Sequence, residues 1–359
     1  MHRLLPIALL IACSDYKVHA IDDGNNGADA PGSSSDDPSP ENDSDPGLES
    51  GDVSGQICDP SGDGWVGGAD VYVAVDDDGD GQEDWRAEDL TDSEGYFLLT
   101  GLPTGGHTII VEKGSFSPTI DIALGAEGLQ LATEECLDPN SVSVAVVSGE
   151  YDAIEELIES MALDYDLYNG LQGQGYLSLL TDLDKLMEYD IVFLNCGIND
   201  RWMQQEAAVV DALQRYVAAG GSVYASDWSY RFVELTFPGQ IDFYGDDSRS
   251  GAAYVGNMGS ISATVLDTDM KSVLGSSTAD LNYDLDSWAV ITASSAEVLI
   301  RGDVQTWGAG PQQDVPLAVQ IDDGGRVIYT TFHNEQQITV DMESLLMEII
   351  LKLKARGSG

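Results

Sequence analysis

Asp76-Asp77-Asp78-Gly79-Asp80-Gly81-Gln82-Glu83-Asp84 is a dense run of oxygen donors. Carboxylates at Asp76, Asp78 and Asp80, followed by Gly81 and Asp84, match the first nine positions of a calcium-binding loop. Alternate oxygens turn inward there, and the glycine permits the sharp turn. An EF-hand would place its bidentate glutamate at the twelfth position, which here is Ala87. Glu88 comes one residue late, so Glu88 or Asp89 would close a looser site. The expected cofactor is Ca²⁺, bound with affinity of order millimolar as in extracellular modules. The alternative is a solvated acidic hairpin. The remaining chemistry-bearing residues are Cys13, Cys58, Cys136 and Cys196, and a late His333-Asn334-Glu335 run.

These residues sit in a chain of 359 residues with 63 acidic and 15 basic side chains, a formal net charge of -48. A phosphate backbone needs a basic footprint, so nucleic-acid binding is excluded as a function class. Hydrophobic residues make up 43% of the chain. A core can therefore form if charge and core are segregated along the sequence. The length suits two or three domains. Four cysteines are too few for a disulfide scaffold, and no apolar run is long enough for a spanning helix.

Residues 1–12 read as a signal peptide. Arg3 supplies a short positive region, and Leu4–Ala12 is an apolar stretch too short to span a bilayer. Leu10-Ile11-Ala12-Cys13 resembles a bacterial lipobox. That resemblance implies cleavage before Cys13, lipid on its sulfur and amino group, and stable membrane attachment through several acyl chains. An ordinary signal peptide containing a cysteine is the alternative. Ser14 follows, where inner-membrane lipoproteins of Gram-negative bacteria often carry Asp, which points to the outer membrane. Residues 13–52 read as a disordered acidic tether. Ile21–Ser54 holds ten acidic residues and no Lys or Arg, too little apolar surface to offset chain entropy.

Residues 53–139 change to short alternating runs. Ala69–Val75, Gly95–Leu99 and Thr108–Val111 have period two and are separated by glycine- and proline-rich turns. This predicts a small all-β sandwich. Thr91–Gly105 is similar to the repeat core of carboxypeptidase regulatory-like, prealbumin-like domains, which serve as spacers, stabilisers or adhesive modules. Cys58 lies by the first strand and Cys136 just after the last. A disulfide between them would close the domain and leave Cys196 as the odd thiol.

Residues 140–355 alternate strands and helices. Val142–Val147 and Tyr189–Leu194 are apolar strands, and Tyr151–Met161 has helical spacing. Glu206–Ala219 places Val210, Leu213 and Val217 on one face before the Gly220-Gly221 stop. Gly221–Trp228 forms the next strand and turn, and Met342–Lys354 a closing amphipathic helix. The expected fold class is thus two-domain: a small all-β sandwich plus a three-layer α/β domain, with a parallel sheet between helices.

Over Ser141–Lys354 the chain resembles the class I glutamine amidotransferase-like fold, a flavodoxin-like three-layer arrangement. Asn195-Cys196-Gly197 falls where that family has its oxyanion glycines. Phe332-His333-Asn334-Glu335 is similar to the stretch that carries the family's catalytic His and Glu. The resemblance implies a base at His333 and an orienting acid at Glu335. Asp227 stands at the elbow where the family needs its nucleophilic cysteine, and Ser229 replaces a small residue two places on. A carboxylate cannot form the thioester of glutamine hydrolysis. Cys196, placed in the preceding strand-end loop, is not expected to substitute. The pseudo-active-site reading keeps Asp227 and His333 as a packing relic or a binding pair. Trp202, Trp228, Tyr230 and Arg231 are candidates for lining a cleft, although aromatic residues near a sheet end more often serve packing.

Two functions follow. One is a non-catalytic cell-envelope lipoprotein that presents a pseudo-amidotransferase domain on a Ca²⁺-stabilised β-spacer. Its partners would be the membrane through its lipid and an envelope protein or glycan, with no nucleic acid. The other is an envelope hydrolase or lyase using the Asp227–His333 pair on a carbohydrate or peptide. Leu235–Asp303 is strand- and turn-like and departs from a minimal amidotransferase, with no substrate legible in it.

Overall fold

The structure is a computed structural model, and it describes residues 49–75, 83, 85–172, 175–199, 207–245, 249–334 and 338–353. The calcium-loop carboxylates Asp76, Asp78, Asp80 and Asp84 lie outside these residues, as do Cys13, Trp202 and Glu335. Among the described residues, no helix is long and apolar enough to cross a membrane.

Eight strands come first: β1 Ser50–Cys58, β2 Asp70–Val75, β3 Trp85–Leu90, β4 Tyr96–Pro103, β5 Gly105–Glu112, β6 Thr119–Leu124, β7 Leu129–Gln130 and β8 Glu135–Cys136. They form two sheets, β4-β1-β7 with β8 also on β1, and β3-β2-β5-β6. Period-two patterning puts Val53 and Ile57 of β1, Val71 and Val73 of β2, and Ile109 and Val111 of β5 in the core. Cys58 and Cys136 are register partners on β1 and β8 and form a disulfide.

The α/β region follows a short 3-10 turn at Pro139–Ser141. Its first elements are β9 Val144–Ser148, α1 Ile154–Ser160, β10 Tyr165–Asn169, α2 Leu177–Leu180, α3 Leu183–Leu186, β11 Ile191–Leu194, α4 Ala207–Ala218, β12 Ser222–Ser226 and α5 Tyr230–Thr236. Next come β13 Ile241–Phe243, β14 Tyr254–Gly256, β15 Gly259–Val265, α6 Thr268–Leu274, β16 Thr278–Tyr283, β17 Trp288–Ala289, β18 Ile291–Ser294, β19 Glu297–Val304, β20 Gln312–Asp323, β21 Gly325–Thr330 and α7 Val340–Lys352. The main sheet has nine strands in the order β10-β9-β11-β12-β21-β20-β19-β15-β16. The five strands β10 to β21 are parallel. Numbered among themselves in chain order they run 2-1-3-4-5, the doubly wound flavodoxin-like order.

The other four strands are antiparallel, so the sheet is mixed where the sequence predicts a parallel one. The reason is local. β20 and β21 are joined by the tight turn at Gly324, whose φ is +82°, and a hairpin can only pair antiparallel. β15, β16 and β19 come from Leu235–Asp303 and continue the sheet outward.

Alternation along β9 sorts the two faces. Ala145 and Val147 pack with Leu179, Leu186, Leu213 and Tyr216 of α2–α4. Val144 and Val146 pack with Leu157 and Ile158 of α1 and with Leu345 and Ile349 of α7. In α4 the buried stripe is Val209, Ala212, Leu213, Tyr216 and Val217. Val210 is only half-buried, one position away from the stripe expected from sequence.

The sandwich is not a separate bead. Val53, Val71, Phe97 and Phe116 share one apolar cluster with α1 and α7, and the described residues belong to one compact unit. Buried polar groups pin the junction. Lys113 Nζ donates to Glu348 Oε1 at 2.6 Å and to the Gly67 carbonyl at 3.0 Å, and Ser115 Oγ donates to the Leu353 carbonyl.

Candidate functional site

Three loops leave the carboxyl ends of adjacent parallel strands and converge. Register decides this. Leu194 of β11 pairs with Ala225 of β12, and Ala225 pairs with Tyr329 of β21. Two residues further along, Cys196, Asp227 and Thr331 lie abreast, with His333 two beyond. Ligands bind at this end of open α/β sheets.

β12 passes at Asp227 into a 3-10 turn, Asp227–Ser229, that leads directly into α5. The turn is sharp enough to hold Asp227 at φ +38°. A left-handed backbone costs a non-glycine residue of order 1–3 kcal/mol and persists where its surroundings over-determine it. Asp227 is fixed at both ends: its Oδ1 accepts from the Ala289 amide at 2.6 Å, and its carbonyl accepts from Tyr329 OH at 2.9 Å. The elbow geometry expected from the sequence is therefore present with a carboxylate at its tip.

Cys196 Sγ donates to Asp227 Oδ2 at 3.5 Å, and His333 Nε2 lies 3.6 Å from the same oxygen. All three side chains are buried, with ligating atoms within 4.8 Å of one another. Along the chain Cys196 belongs to the preceding loop, away from the elbow. In three dimensions its thiol belongs to the same cluster as the Asp227–His333 pair. The parallel register of two neighbouring strand ends brings it there, and no local sequence signal marks it. Close packing is also required at Gly149, where an added Cβ would collide with the Cys196 carbonyl oxygen.

Asp152, just after β9, was not singled out by sequence. It is buried and accepts from Ser226 Oγ, from the Asn334 amide at 3.3 Å and from the Cys196 amide at 3.5 Å. One carboxylate thus ties the loops after β9, β11, β12 and β21 together. Burial raises its carboxyl above the ordinary range, with His333 and the Ser226 hydroxyl offsetting part of the shift. Ser229 Oγ donates to the Asn195 carbonyl at 2.6 Å, so the side chain that interrupts the amidotransferase-like pattern serves as a brace.

Burial pushes the Cys196 thiol up to about 12, and the nearby Asp227 carboxylate adds to this against an opposing contribution from His333. At neutral pH the sulfur carries its proton. Burial thus works against a thiolate nucleophile at Cys196, and the elbow itself carries a carboxylate.

The cluster forms the floor of a cavity of about 210 Å³. Tyr151, Trp228, Tyr283, Trp288, Leu285, Phe332 and Met342 give its apolar walls, and Asn282, Asp286 and Thr331 its polar points. Tyr283 stacks on Trp288 with centroids 4.3 Å apart, and Tyr151 meets Trp228 edge-on at 5.0 Å. Both indoles are locked: Trp228 Nε1 donates to the Ser287 carbonyl at 2.8 Å and Trp288 Nε1 to the Asn257 carbonyl at 2.9 Å. One wall, from Asn282 to Trp288, comes from the stretch whose role was not legible in sequence. Trp228 lines the cavity. Tyr230 and Arg231 do not line it: Tyr230 packs on Phe243, and Arg231 pairs with Glu234 at 3.0 Å in the interior.

No family model matches the chain, and no curated protein matches it. Several solved structures are similar over part of the chain. A ThuA-like protein from Bacteroides uniformis is 16% identical, with 58% of this chain and 89% of that one covered and a TM-score of 0.40. A GMP synthase component from Thermoplasma acidophilum is 11% identical, covering 59% and 94%, with a TM-score of 0.40. The major pilin of Bacillus cereus is 16% identical across 25% of this chain and 30% of its own, with a TM-score of 0.19.

Proposed function

We propose that the chain is a non-catalytic, lipid-anchored cell-envelope protein whose α/β region holds a terminal sugar of an envelope glycan in the Asp227 cavity. On this reading Cys13 carries the lipid, the outer membrane is the site of attachment, and residues 13–48 are the tether, since β1 already begins at Ser50. Ca²⁺ on Asp76, Asp78, Asp80 and Asp84 stabilises the sandwich. The observation that carries the binding reading is the cavity itself. Locked aromatic walls over carboxylates and an amide suit a neutral ring with apolar faces and donating hydroxyls. Asp227 and Asp286 together disfavour an anionic ligand. The protonated Cys196 thiol and the carboxylate at the elbow support the absence of glutamine hydrolysis.

Calorimetric titration of the Cys13→Ser chain with neutral monosaccharides and peptidoglycan-derived saccharides tests this. The expected result is saturable binding of one sugar class, lost in Trp288→Ala, with no ammonia from glutamine and no product from the sugar. Absence of saturable binding across the panel overturns the binding reading. A second reading, an envelope hydrolase or lyase using Asp227 and His333, draws support from the strained φ of Asp227. Sugar or peptide cleavage abolished by both Asp227→Asn and His333→Ala would replace the first reading with it.

A further inference from the structure

Cys196 Sγ, Asp227 Oδ2 and His333 Nε2 are a soft sulfur, a hard oxygen and an imidazole nitrogen meeting at one point. With Zn–S near 2.3 Å and Zn–O or Zn–N near 2.0–2.1 Å, tetrahedral ligand atoms stand about 3.3–3.6 Å apart. The observed S···O and N···O separations are 3.5 and 3.6 Å. The His333–Asp227 separation is longer than the roughly 2.7–3.2 Å of a hydrogen bond. Donors spaced this way suit a cation shared among them.

We infer that Cys196, Asp227 and His333 form a three-ligand site for a Zn²⁺-class divalent transition metal, with its fourth position open to the aromatic cavity. Sulfur with imidazole selects Zn²⁺, Co²⁺ or Cu²⁺ over Ca²⁺ or Mg²⁺. Three protein ligands and one open position are the arrangement of a metal that engages a ligand, as distinct from a closed structural site. Charge balances: a thiolate and a carboxylate neutralise the dication in a buried place. Binding converts the Cys196 thiol to a metal thiolate and releases one proton, which leaves through the cavity. The support around the ligands is already built. Asp227 Oδ1 is held by the Ala289 amide, so Oδ2 faces the cluster, and Asp152 holds the Cys196 loop through its amide. Outer partners of this kind orient metal ligands.

This inference deepens the binding reading and rests on the same cavity, since a hydroxyl of the bound sugar would complete the coordination. The test reads the metal alone, so it fails independently of sugar binding. The full chain carrying Cys13→Ser, with Cys58–Cys136 oxidised, is stripped with chelator and titrated with Co²⁺. The expected result is one equivalent bound with a sulfur-to-cobalt charge-transfer band, displaced by Zn²⁺. Cys196→Ser should abolish the band, and His333→Ala should weaken affinity at least about tenfold. Circular dichroism confirms that each variant is folded. In the unsubstituted cluster, Zn²⁺ should also protect Cys196 from thiol reagents added with sub-denaturing urea, an arm that needs no variant. A folded chain without the charge-transfer band, a band retained in Cys196→Ser, or labelling indifferent to Zn²⁺ overturns the site.

Discussion

Glu348 lies on α7 with 2% of its surface exposed, under the sandwich and against Lys113. Its neighbours are Lys113 at 2.6 Å and, around that lysine, Asp269 at 3.8 Å, which also pairs with Lys352. Burial pushes the Glu348 carboxyl from 4.5 up to about 7, with Lys113 and Lys352 offsetting part of the cost and Asp269 adding to it. Between about pH 4.5 and 7 the folded state keeps a proton that the unfolded chain has lost. Stability from this group is thus fully present below about pH 4.5 and falls as pH rises through 7. A displacement of about two and a half units corresponds to roughly 3 kcal/mol. Glu348→Gln removes the titration, while Lys113 keeps Asp269 and the Gly67 carbonyl. Urea unfolding of both proteins from pH 4.5 to 8 isolates the effect, because the difference cancels the many other carboxylates. Wild type minus variant should fall by roughly 3 kcal/mol from pH 4.5 to 7 and level off above about 8, or about 4–6 °C in melting temperature for a unit of this size. A difference that stays flat, or that rises with pH, would refute the reasoning.

The Cys58–Cys136 disulfide spans 78 residues, so replacing both with alanine should cost about 2–4 kcal/mol in denaturant melts, and an unchanged midpoint would deny it a stabilising role. Asp152→Ala strands the Ser226 hydroxyl and two amides. It should cost about 2–4 kcal/mol and raise amide exchange in the loops after β11 and β21, with Asp152→Asn milder. The full chain should melt higher in excess Ca²⁺ than in chelator, and Asp78→Ala should erase the difference; equal melting in wild type would leave a solvated acidic loop.

Local chemistry made much of the architecture legible. Period-two runs such as Val71 and Val73 marked the sandwich strands, and the continuous apolar runs of β9 and β11 marked strands buried on both faces. Gly220-Gly221 marked the end of α4, and the jump into α5 placed Asp227 at an elbow. These features are short-range, set by backbone preference and by which face must leave water. The sequence also determined the charge imbalance, since that depends on composition alone.

Tertiary structure decided the rest. Cys196 and Asp227 are 31 residues apart and meet because two parallel strands end in register, a pairing that no local pattern specifies. Asp152 joins the ends of four strands from a position inside the Tyr151–Met161 stretch, where helical spacing alone gives it no role. The cavity wall from Asn282 to Trp288 exists because an antiparallel extension folds beside the elbow. Glu348 and Lys352 sit on the buried side of α7 because Lys113 and Asp269 reach them from distant elements. Amphipathic patterning assigns charged residues to solvent, and only a partner brought through space can hold them inside.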